Sequence, residues 1–309
     1  MSLRVLVPTQ ELASALQLPG IEPLLWHLND APCEPPEAEV LITERPRQPE
    51  RHPLVARIPG LRHVHLLSLG FEWVLEHLPE GVGLSNSRGA IEDATAEHAL
   101  ALLLAALRAV PAAVRDQDRQ RWNPAWSPTL HGATVLLLGY GGVGAGIAAR
   151  LAPFGPARVL PVARTARIAP DGAAVHALHE LPGLLPEADI VIIALPHDAS
   201  TERLVDAAFL SSMRDGALLV NIGRGPVVDT GALLAELETG RLGAALDVTD
   251  PEPLPPGHRL WSAPNCLITP HTGGNTTQVS RLCGQLAVQQ MQRLAAGREL
   301  LNVVRATGE

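Results

Sequence analysis

The chain alternates between short apolar runs and longer stretches with helical periodicity. The apolar runs before residue 90 are RVLV, EVLIT, RHVHLLSL and VGLSN, and those after residue 130 are ATVLLLG, ARVLPVA, ADIVIIALP, GALLVNI, GAALDV and NCLIT. Strands that alternate with helices are typical of parallel sheets built from βαβ units. The pattern therefore predicts an α/β fold whose second half forms a doubly wound parallel sheet.

Two long helical stretches predict how the chain divides into domains. EHALALLLAALRAV, with Asp93 or Thr95 as its N-cap and Pro111 at its end, is expected to link two domains. NTTQVSRLCGQLAVQQMQRLAAG predicts a last amphipathic helix that packs back on the first domain, because few residues follow it. We expect a first domain of residues 1–96 plus 278–309 and an inserted domain of residues 97–277.

Composition excludes several functional classes. A net charge of −8 and a pI near 5.8 predict no basic surface for nucleic acid or an anionic membrane. No lysine occurs in the sequence, which excludes a Schiff-base lysine and a Walker-type phosphate loop. The start, MSLRVLVPTQ, does not resemble a signal peptide, and the run ALALLLAAL is far shorter than the roughly 20 residues of a membrane span. We therefore expect a cytoplasmic protein without nucleic-acid or membrane partners.

Cysteine and histidine positions do not favour a metal site. Cys33, Cys266 and Cys283 are far apart in sequence and form no C-x-x-C pair, so we interpret them as reduced core thiols. His63 and His65 alternate on one strand face, but no cysteine or carboxylate lies close enough in sequence to complete a metal site. No metal is expected.

Four other conspicuous residues receive structural interpretations. Glu97 and His98 lie in the linking helix and are interpreted as capping or packing residues. Trp122 and Trp126, in the segment RWNPAW, are interpreted as core or interface packing.

A glycine motif follows the first strand of the second half. In VLLLGYGGVGAGIAARL, Gly139, Gly141 and Gly144 form G-x-G-x-x-G between a strand and a helix. The first glycine permits a tight turn, the second lets the backbone approach a pyrophosphate, and the third lets helix and strand pack closely. The motif predicts a Rossmann domain that binds a dinucleotide.

The next strand predicts which dinucleotide is preferred. A carboxylate usually stands about 20 residues after the glycine motif and binds the ribose 2′-hydroxyl. This strand ends in VARTAR, where Arg164, Thr165 and Arg167 suit a 2′-phosphate instead. NADP is therefore the expected cofactor and NAD the alternative, and a solvated basic turn is the other interpretation of this segment.

Three further motifs each follow an apolar strand, so their loops are expected to meet at the carboxyl ends of the sheet. They are N-x-x-R-G-x-x-x-D at 221–229, D-V-x-x-x-E-P at 247–253 and P-H at 270–271. With the glycine motif, and in this order, they make the chain resemble the D-isomer-specific 2-hydroxyacid dehydrogenase family, in particular its glyoxylate and hydroxypyruvate reductases, over nearly its whole length.

The resemblance implies a Rossmann domain inserted in a smaller, flavodoxin-like α/β substrate domain, and it implies residue roles. His271 would supply the proton for the keto oxygen. Glu252 would orient the imidazole and favour its charged form. Arg224 would bind the substrate carboxylate and polarise the ketone. Backbone amides near Leu69 and Gly70 would complete the carboxylate clamp, with an ordinary strand-to-helix turn as the alternative. Glu72 is expected to be structural.

The predicted site thus has a catalytic set, Arg224, Glu252 and His271, and a substrate set, Leu69, Gly70, Arg224 and His271. The residues expected at the cofactor are Gly139, Gly141, Gly142, Val143, Gly144, Arg164, Thr165, Arg167, Leu195, Pro196, Thr201, Ile222, Gly223, Asp247, Gly273 and Gly274.

The expected function is NAD(P)H-dependent reduction of a small 2-keto acid, of the glyoxylate or hydroxypyruvate type, to the D-2-hydroxy acid. The alternatives are a phosphoglycerate dehydrogenase-like enzyme, or a catalytically weak module that senses dinucleotide or acts as a corepressor. By resemblance, the protein is expected to be a homodimer.

Overall fold

The structure is a computed structural model that describes residues 2–29 and 34–308, so Cys33 lies outside the described residues. It divides into two compact units, one of residues 1–91 with 274–309 and one of residues 92–273. The predicted domain limits fall within a few residues of this division, and they remain a prediction about which parts fold independently.

Strands and helices alternate along most of the described chain. The strands are β1 (Leu3–Val7), β2 (Ile21–Leu25), β3 (Val40–Thr43), β4 (His63–Leu66), β5 (Gly83–Ser85), β6 (Thr134–Leu138), β7 (Arg158–Ala163), β8 (Arg167–Ile168), β9 (Ala174–Ala177), β10 (Ile190–Ile193), β11 (Leu218–Asn221), β12 (Gly243–Leu246), β13 (Cys266–Ile268) and β14 (Val303–Arg305). The α-helices are α1 (Gln10–Ala15), α2 (Glu72–Leu75), α3 (Glu92–Leu107), α4 (Val110–Asp118), α5 (Gly142–Leu151), α6 (Leu181–Leu184), α7 (Ala207–Ser212), α8 (Thr230–Glu238) and α9 (Thr277–Ala295).

The first unit is built on a sheet with the order β14-β5-β4-β3-β1-β2. All neighbours are parallel except β14, which runs antiparallel to β5. The five parallel strands have the flavodoxin-like order 2-1-3-4-5. Ala287 and Met291 of α9 pack against Val5 and Val7 of β1 in one buried cluster, so the C-terminal helix covers a face of this sheet.

Two buried histidines on β4 of the first unit share one hydroxyl group, that of Ser85 on the neighbouring strand β5. His63 Nε2 and His65 Nδ1 each lie 2.9 Å from Ser85 Oγ. Burial lowers the pKa of His63 to about 4 and that of His65 to about 3, so both rings are neutral at neutral pH. Their alternation on one strand face therefore reflects a hydrogen-bonded core.

The second unit contains a sheet with the order β13-β12-β11-β10-β6-β7-β9-β8, in which only β8 is antiparallel to its neighbour. The order reverses at β6, which lies between β7 and β10. This is the doubly wound Rossmann arrangement, and ligands of such sheets bind outside the carboxyl ends of the strands at the reversal. The predicted fold class is confirmed.

The register of the second sheet aligns the carboxyl ends of its central strands. The residues that face one another there are Leu138, Ile193, Asn221, Leu246 and Ile268. The loops that follow therefore start at one edge, with Gly139, Ala194, Ile222, Asp247 and Thr269 as their first residues. This edge carries the predicted catalytic residues.

The linking helix differs in its limits from the prediction. α3 begins at Glu92, so Asp93 and Thr95 lie within the helix and neither is its N-cap. It ends at Leu107, before Pro111, because the chain turns at Ala109 through φ 52° and starts again as α4. Pro111 is the second residue of α4, where its missing N–H costs no helical hydrogen bond.

No single helix in residues 2–29 and 34–308 is long and apolar enough to span a membrane, although α3 and α4 together, bent by 64°, satisfy that test.

Four strands have no counterpart among the predicted ones: β2, β8, β9 and β14. β2 (IEPLL) has a proline at its centre, which argues against a strand in sequence, but β2 is an edge strand where a missing N–H is tolerated. β8 and β14 are only two and three residues long and have no fully buried residue, so their apolar signal is weak.

Two cysteines lie within the described residues. Cys283 is buried, and burial raises the pKa of the Cys266 thiol to about 12, so this thiol is protonated at neutral pH.

Two tryptophans that follow α4 lie on the surface. Trp122 is 97% exposed and Trp126 is fully exposed, so the interpretation of these two residues as core packing is wrong. The alternative, an interface, stays a prediction.

Candidate active site

The glycine motif forms a tight turn at the end of β6. Gly139 has φ 99°, a conformation that side chains disfavour, and a Cβ there would lie 2.5 Å from Ala194 O. A Cβ on Gly144 would collide with Gly139 O, so both positions require glycine. A Cβ on Gly141 would meet nothing within 4 Å. Open space therefore lies in front of Gly141 at the N-terminus of α5, where unpaired amides attract an anion, whereas Gly142 packs against the Glu92 side chain. The turn fits a pyrophosphate.

The two arginines after β7 have different environments. Arg164 is 78% exposed, and its Nη2 donates to Asp198 Oδ2 at 3.2 Å. Arg167 Nη2 donates to Tyr140 O at 2.8 Å, and Nη1 donates to Thr165 O at 3.4 Å. Arg167 therefore ties its own turn to the glycine motif, whereas Arg164 points its charge toward the loop after β10.

The loop after β10 contains three predicted cofactor residues, Leu195, Pro196 and Thr201. Thr201 is buried, and its hydroxyl donates to Pro196 O at 2.9 Å. The same hydroxyl accepts from Asp198 N at 2.8 Å. Thr201 therefore closes this loop on itself, and this contact is its role within the protein. Whether it also contacts a cofactor stays a prediction.

The residues of N-x-x-R-G-x-x-x-D each have a local function. Asn221 Nδ2 donates to Arg224 O at 3.0 Å, and Asn221 Oδ1 accepts from Gly223 N at 3.0 Å, so this amide closes the turn that presents Arg224. Arg224 Nη1 donates to Gly223 O at 2.7 Å. A Cβ on Gly225 would collide with Thr249 O, so the turn packs directly on the loop after β12. Asp229 caps α8 by accepting from Ala232 N at 2.9 Å.

The loops after β12 and β13 bring an imidazole and a carboxylate together. His271 Nδ1 lies 2.8 Å from Glu252 Oε1, and both side chains are partly exposed. His271 has φ 53°, an uncommon conformation for this residue type. Its backbone N donates to Asp247 O at 2.8 Å, which helps to hold that conformation. The contact at Nδ1 leaves Nε2 as the ring atom that can exchange a proton with a ligand.

Asp247 organises the loop that carries His271. Its side chain is 3% exposed, and it accepts hydrogen bonds from Thr269 Oγ1 at 2.6 Å, Thr272 N at 2.9 Å and Gly273 N at 2.9 Å. Burial favours the neutral acid, but these hydrogen bonds outweigh it and hold the pKa of Asp247 below its usual value. Asp247 is therefore an ionised anchor of this loop. Its predicted contact with the cofactor stays a prediction.

His98 takes part in this network through hydrogen bonds that its interpretation as a capping or packing residue did not include. Its Nε2 lies 3.1 Å from Asp247 Oδ1 and 3.0 Å from Thr269 Oγ1. His98 and Asp247 are 149 positions apart in the chain, and no local pattern reveals such a contact. The only signal for this contact in the sequence is that a histidine lies in a helix that packs on the sheet.

We expect Asp247→Asn to lower the free energy of unfolding at pH 7 by about 1–3 kcal/mol, because the asparagine NH₂ would face backbone donors. The carboxylate contributes stability above its unfolded-state pKa and loses it as the pH falls through the lower folded value. The difference from wild type should therefore shrink below about pH 4. Denaturant unfolding of wild type and Asp247→Asn, at pH 7 and below about pH 4, measures this difference.

Asp215→Asn is the matched control, since the Asp215 side chain is 88% exposed. It should change unfolding little at either pH. Equal effects of the two substitutions would contradict a special role for Asp247.

The predicted substrate loop lies in the first unit, after β4. Asn86 Nδ2 donates to Leu69 O at 2.9 Å, and Ser68 Oγ donates to Gly70 O at 2.9 Å. Glu72 Oε2 accepts from Phe71 N at 2.9 Å, in agreement with a structural role. The hydrogen bonds from Asn86 and Ser68 hold the carbonyl groups of Leu69 and Gly70 in place. That its amides bind a carboxylate stays a prediction.

Comparison with known proteins identifies the family. Residues 100–273 match the NAD binding domain of the D-isomer specific 2-hydroxyacid dehydrogenases. The chain is 35% identical over 243 residues to the glyoxylate reductase/hydroxypyruvate reductase of Mus musculus, which covers 75% of this chain and 73% of that protein. It is 33% identical over 263 residues to the glyoxylate reductase of Aeropyrum pernix, which covers 81% of this chain and 78% of that protein.

Solved structures agree with this assignment. The D-isomer specific 2-hydroxyacid dehydrogenase from Xanthobacter autotrophicus Py2, in complex with NADPH and MES, is 32% identical, with a TM-score of 0.80 over 98% of both chains. The NADPH-dependent glyoxylate/hydroxypyruvate reductase from Sinorhizobium meliloti, in complex with NADP and malonate, is 27% identical, with a TM-score of 0.81 over 98% of this chain and 97% of that one. The protein therefore belongs to the D-isomer specific 2-hydroxyacid dehydrogenase family, and it is an oxidoreductase that uses a nicotinamide dinucleotide.

Proposed function

We propose that the protein reduces a small 2-keto acid, glyoxylate or hydroxypyruvate, to the D-2-hydroxy acid and prefers NADPH to NADH. The observation that carries this proposal is the 2.8 Å contact between His271 Nδ1 and Glu252 Oε1 on the loops next to the Arg224 turn. The relatives named above as glyoxylate or hydroxypyruvate reductases support the substrate class.

Each catalytic residue has one task in this proposal. Arg224 binds the carboxylate of the keto acid and polarises its keto oxygen, because a guanidinium can donate to two oxygens at once. His271 donates a proton from Nε2 to the keto oxygen as that oxygen gains negative charge. Glu252 holds Nδ1, so the ring keeps its orientation and the imidazolium is stabilised before the transfer.

The chain also has a place for the dinucleotide. The open space in front of Gly141 suits the pyrophosphate, and the loop of Leu195 and Pro196 follows the neighbouring strand β10. When bound there, the reduced nicotinamide supplies the hydride to the keto carbon. The remaining predicted cofactor residues, including Ile222, Gly223, Gly273 and Gly274, keep that role in the proposal.

We expect wild-type kcat/KM to be about tenfold or more higher with NADPH than with NADH, because Arg164 can bind the 2′-phosphate by charge-assisted hydrogen bonds. Salt screens an exposed arginine, so the preference should fall as ionic strength rises. Arg164→Ala should lower it far more than Arg167→Ala, since Arg167 already donates to Tyr140 O and Thr165 O. Kinetics with both cofactors at low and high salt measure this, and equal use of both by wild type would contradict the preference.

A cofactor-by-substrate matrix tests the substrate class. Oxidation of NADPH and NADH is followed with glyoxylate, hydroxypyruvate, pyruvate, phenylpyruvate and 2-ketoisocaproate, and oxidation of 3-phosphoglycerate is measured in the reverse direction. The highest kcat/KM for glyoxylate or hydroxypyruvate supports the proposal. A preference for 3-phosphoglycerate favours a phosphoglycerate dehydrogenase-like enzyme, and tight dinucleotide binding with negligible turnover of every substrate favours a sensing module.

The exposed tryptophans support a further part of the proposal, the homodimer. Val110 and Val114 are exposed on one side of α4, and the fully exposed Trp122 and Trp126 follow it. Large exposed apolar side chains concentrated in one short segment often mark a contact with a partner, and the family resemblance suggests a second copy. Light scattering of wild type and Trp122→Ser/Trp126→Ser decides between dimer and monomer. The cytoplasmic location stays a prediction.

A further inference from the structure

An acidic side chain stands next to the arginine that is proposed to bind the 2′-phosphate. Asp198 Oδ2 accepts from Arg164 Nη2 at 3.2 Å. Arg164 follows β7 and Asp198 follows β10, and both strands neighbour β6, from which the glycine motif extends. The pair therefore lies at the same edge of the sheet as the predicted dinucleotide site.

Asp198 is held in place by its own loop. Its Oδ1 accepts from Ser200 N at 2.8 Å and from Ser200 Oγ at 2.5 Å. Its backbone N donates to Thr201 Oγ1 at 2.8 Å, and its O accepts from Thr201 N at 3.0 Å. The hydrogen bonds from Ser200, with the charge of Arg164 as a smaller contribution, hold the pKa of Asp198 below its usual value. The carboxylate is thus ionised, and its second oxygen is directed to Arg164.

We propose that Asp198 is a specificity-determining residue, which partly neutralises Arg164 and thereby limits the preference for NADPH over NADH. This inference rests on the proposed role of Arg164 in binding the 2′-phosphate. It assigns to the loop after β10 a part in cofactor choice that is separate from the glycine motif and from the arginines.

Two effects of the Asp198 carboxylate oppose each other, and their relative sizes decide whether Asp198 raises or lowers the preference for NADPH. Asp198 orders the Arg164 side chain, which favours any ligand of the guanidinium. A 2′-phosphate bound to Arg164 would also lie within a Debye length, about 8 Å, of Asp198, and the two anions would repel each other. Because Arg164 is highly exposed and makes a single hydrogen bond with the described part of the chain, the ordering is weak and the repulsion dominates.

The ribose 2′-hydroxyl of NADH is not repelled by a carboxylate. It carries no charge and can donate a hydrogen bond to a carboxylate, the contact by which acidic residues select NADH in folds of this type. Asp198 therefore disfavours NADPH and tolerates NADH. We expect a cofactor preference that is lower than two unopposed arginines would produce.

The test is Asp198→Asn, which removes the charge and keeps one oxygen to accept from Ser200. We expect the NADPH-to-NADH ratio of kcat/KM to rise by about two- to fivefold, the size typical of an exposed ion pair. The rise should come from a lower KM for NADPH, and it should be smaller at high salt. Glu202→Gln is the matched control, because Glu202 lies in the same loop but contacts His197. It should leave the ratio unchanged.

Arg164→Ala, alone and combined with Asp198→Asn, separates the two hypotheses. If Arg164→Ala lowers the ratio but Asp198→Asn does not raise it, the inference about Asp198 is wrong and the role of Arg164 stands. If Arg164→Ala leaves the ratio unchanged, the proposed role of Arg164 is wrong, and the inference about Asp198 is wrong with it. If Asp198 acts through Arg164, Asp198→Asn should have a smaller effect in the Arg164→Ala background. An equal rise in the Glu202→Gln control would show a general charge effect and would also overturn the inference.

Discussion

Replacing His271 with alanine is expected to lower kcat for keto acid reduction by about 10²–10⁴-fold, the usual contribution of a positioned general acid. We expect this loss because alanine has no group that can donate the proton assigned to His271 Nε2. Glu252 orients the imidazole through Nδ1, and no second imidazole is proposed for this proton transfer. The dissociation constant of NADPH should change little, since the ring acts on the substrate. Steady-state kinetics and fluorescence titration with NADPH measure the two quantities.

His176→Ala is a close control for this experiment. His176 Nδ1 lies 3.0 Å from Glu180 Oε2, and its side chain is 32% exposed, so the pair is similar in kind to that of His271. The control should keep wild-type kcat. A His271→Ala enzyme with kcat as high as this control would remove His271 from the mechanism.

Glu252→Gln tests the second member of the pair. Glutamine can still accept a hydrogen bond from Nδ1 but carries no charge, so the imidazolium loses an attractive partner. We expect a smaller loss of kcat than in His271→Ala and a shift of the pH profile of reduction to lower pH. An unchanged profile would show that the 2.8 Å contact does not affect proton donation.

Arg224→Lys is expected to raise KM for the keto acid and to lower kcat, with a combined loss in kcat/KM of about ten- to hundredfold. Lysine keeps the positive charge but lacks the planar fork that can bind a carboxylate and a keto oxygen together. Interactions that strengthen in the transition state lower kcat when they are lost, and the others raise KM. Kinetics with glyoxylate and hydroxypyruvate at saturating NADPH separate these terms.

The control for this prediction is Arg214→Lys. Arg214 Nη1 donates to Asp189 Oδ1 at 2.6 Å, and Asp189 directly precedes β10, at the end of the sheet away from the catalytic loops. This substitution should leave KM and kcat near wild type. Wild-type kinetics in Arg224→Lys as well would show that charge alone suffices or that Arg224 does not bind substrate.

Local patterns in the sequence predicted most of the central strands, and they predicted that the glycine motif and the three later motifs follow such strands. Strands β6, β10, β11 and β12 of the second unit are buried on both faces, so their signal in the sequence is strong. β2, β8 and β14 escaped prediction because proline, short length or exposure weakens the pattern at sheet edges. The C-terminal end of α3 depends on the left-handed turn at Ala109, a conformation that an alanine does not signal in the sequence.

The sequence by itself determined the fold class and the family, and it supplied the catalytic set that we propose, because strand periodicity, glycine geometry and the individual motifs can all be read from short segments. Only the tertiary structure decided which side chains meet. The contact of His98 with Asp247 and that of Arg164 with Asp198 each join loops or helices that are distant in the chain. Such contacts depend on the order of the strands in the sheet and on how the helices pack against it, and no short segment of the sequence specifies either.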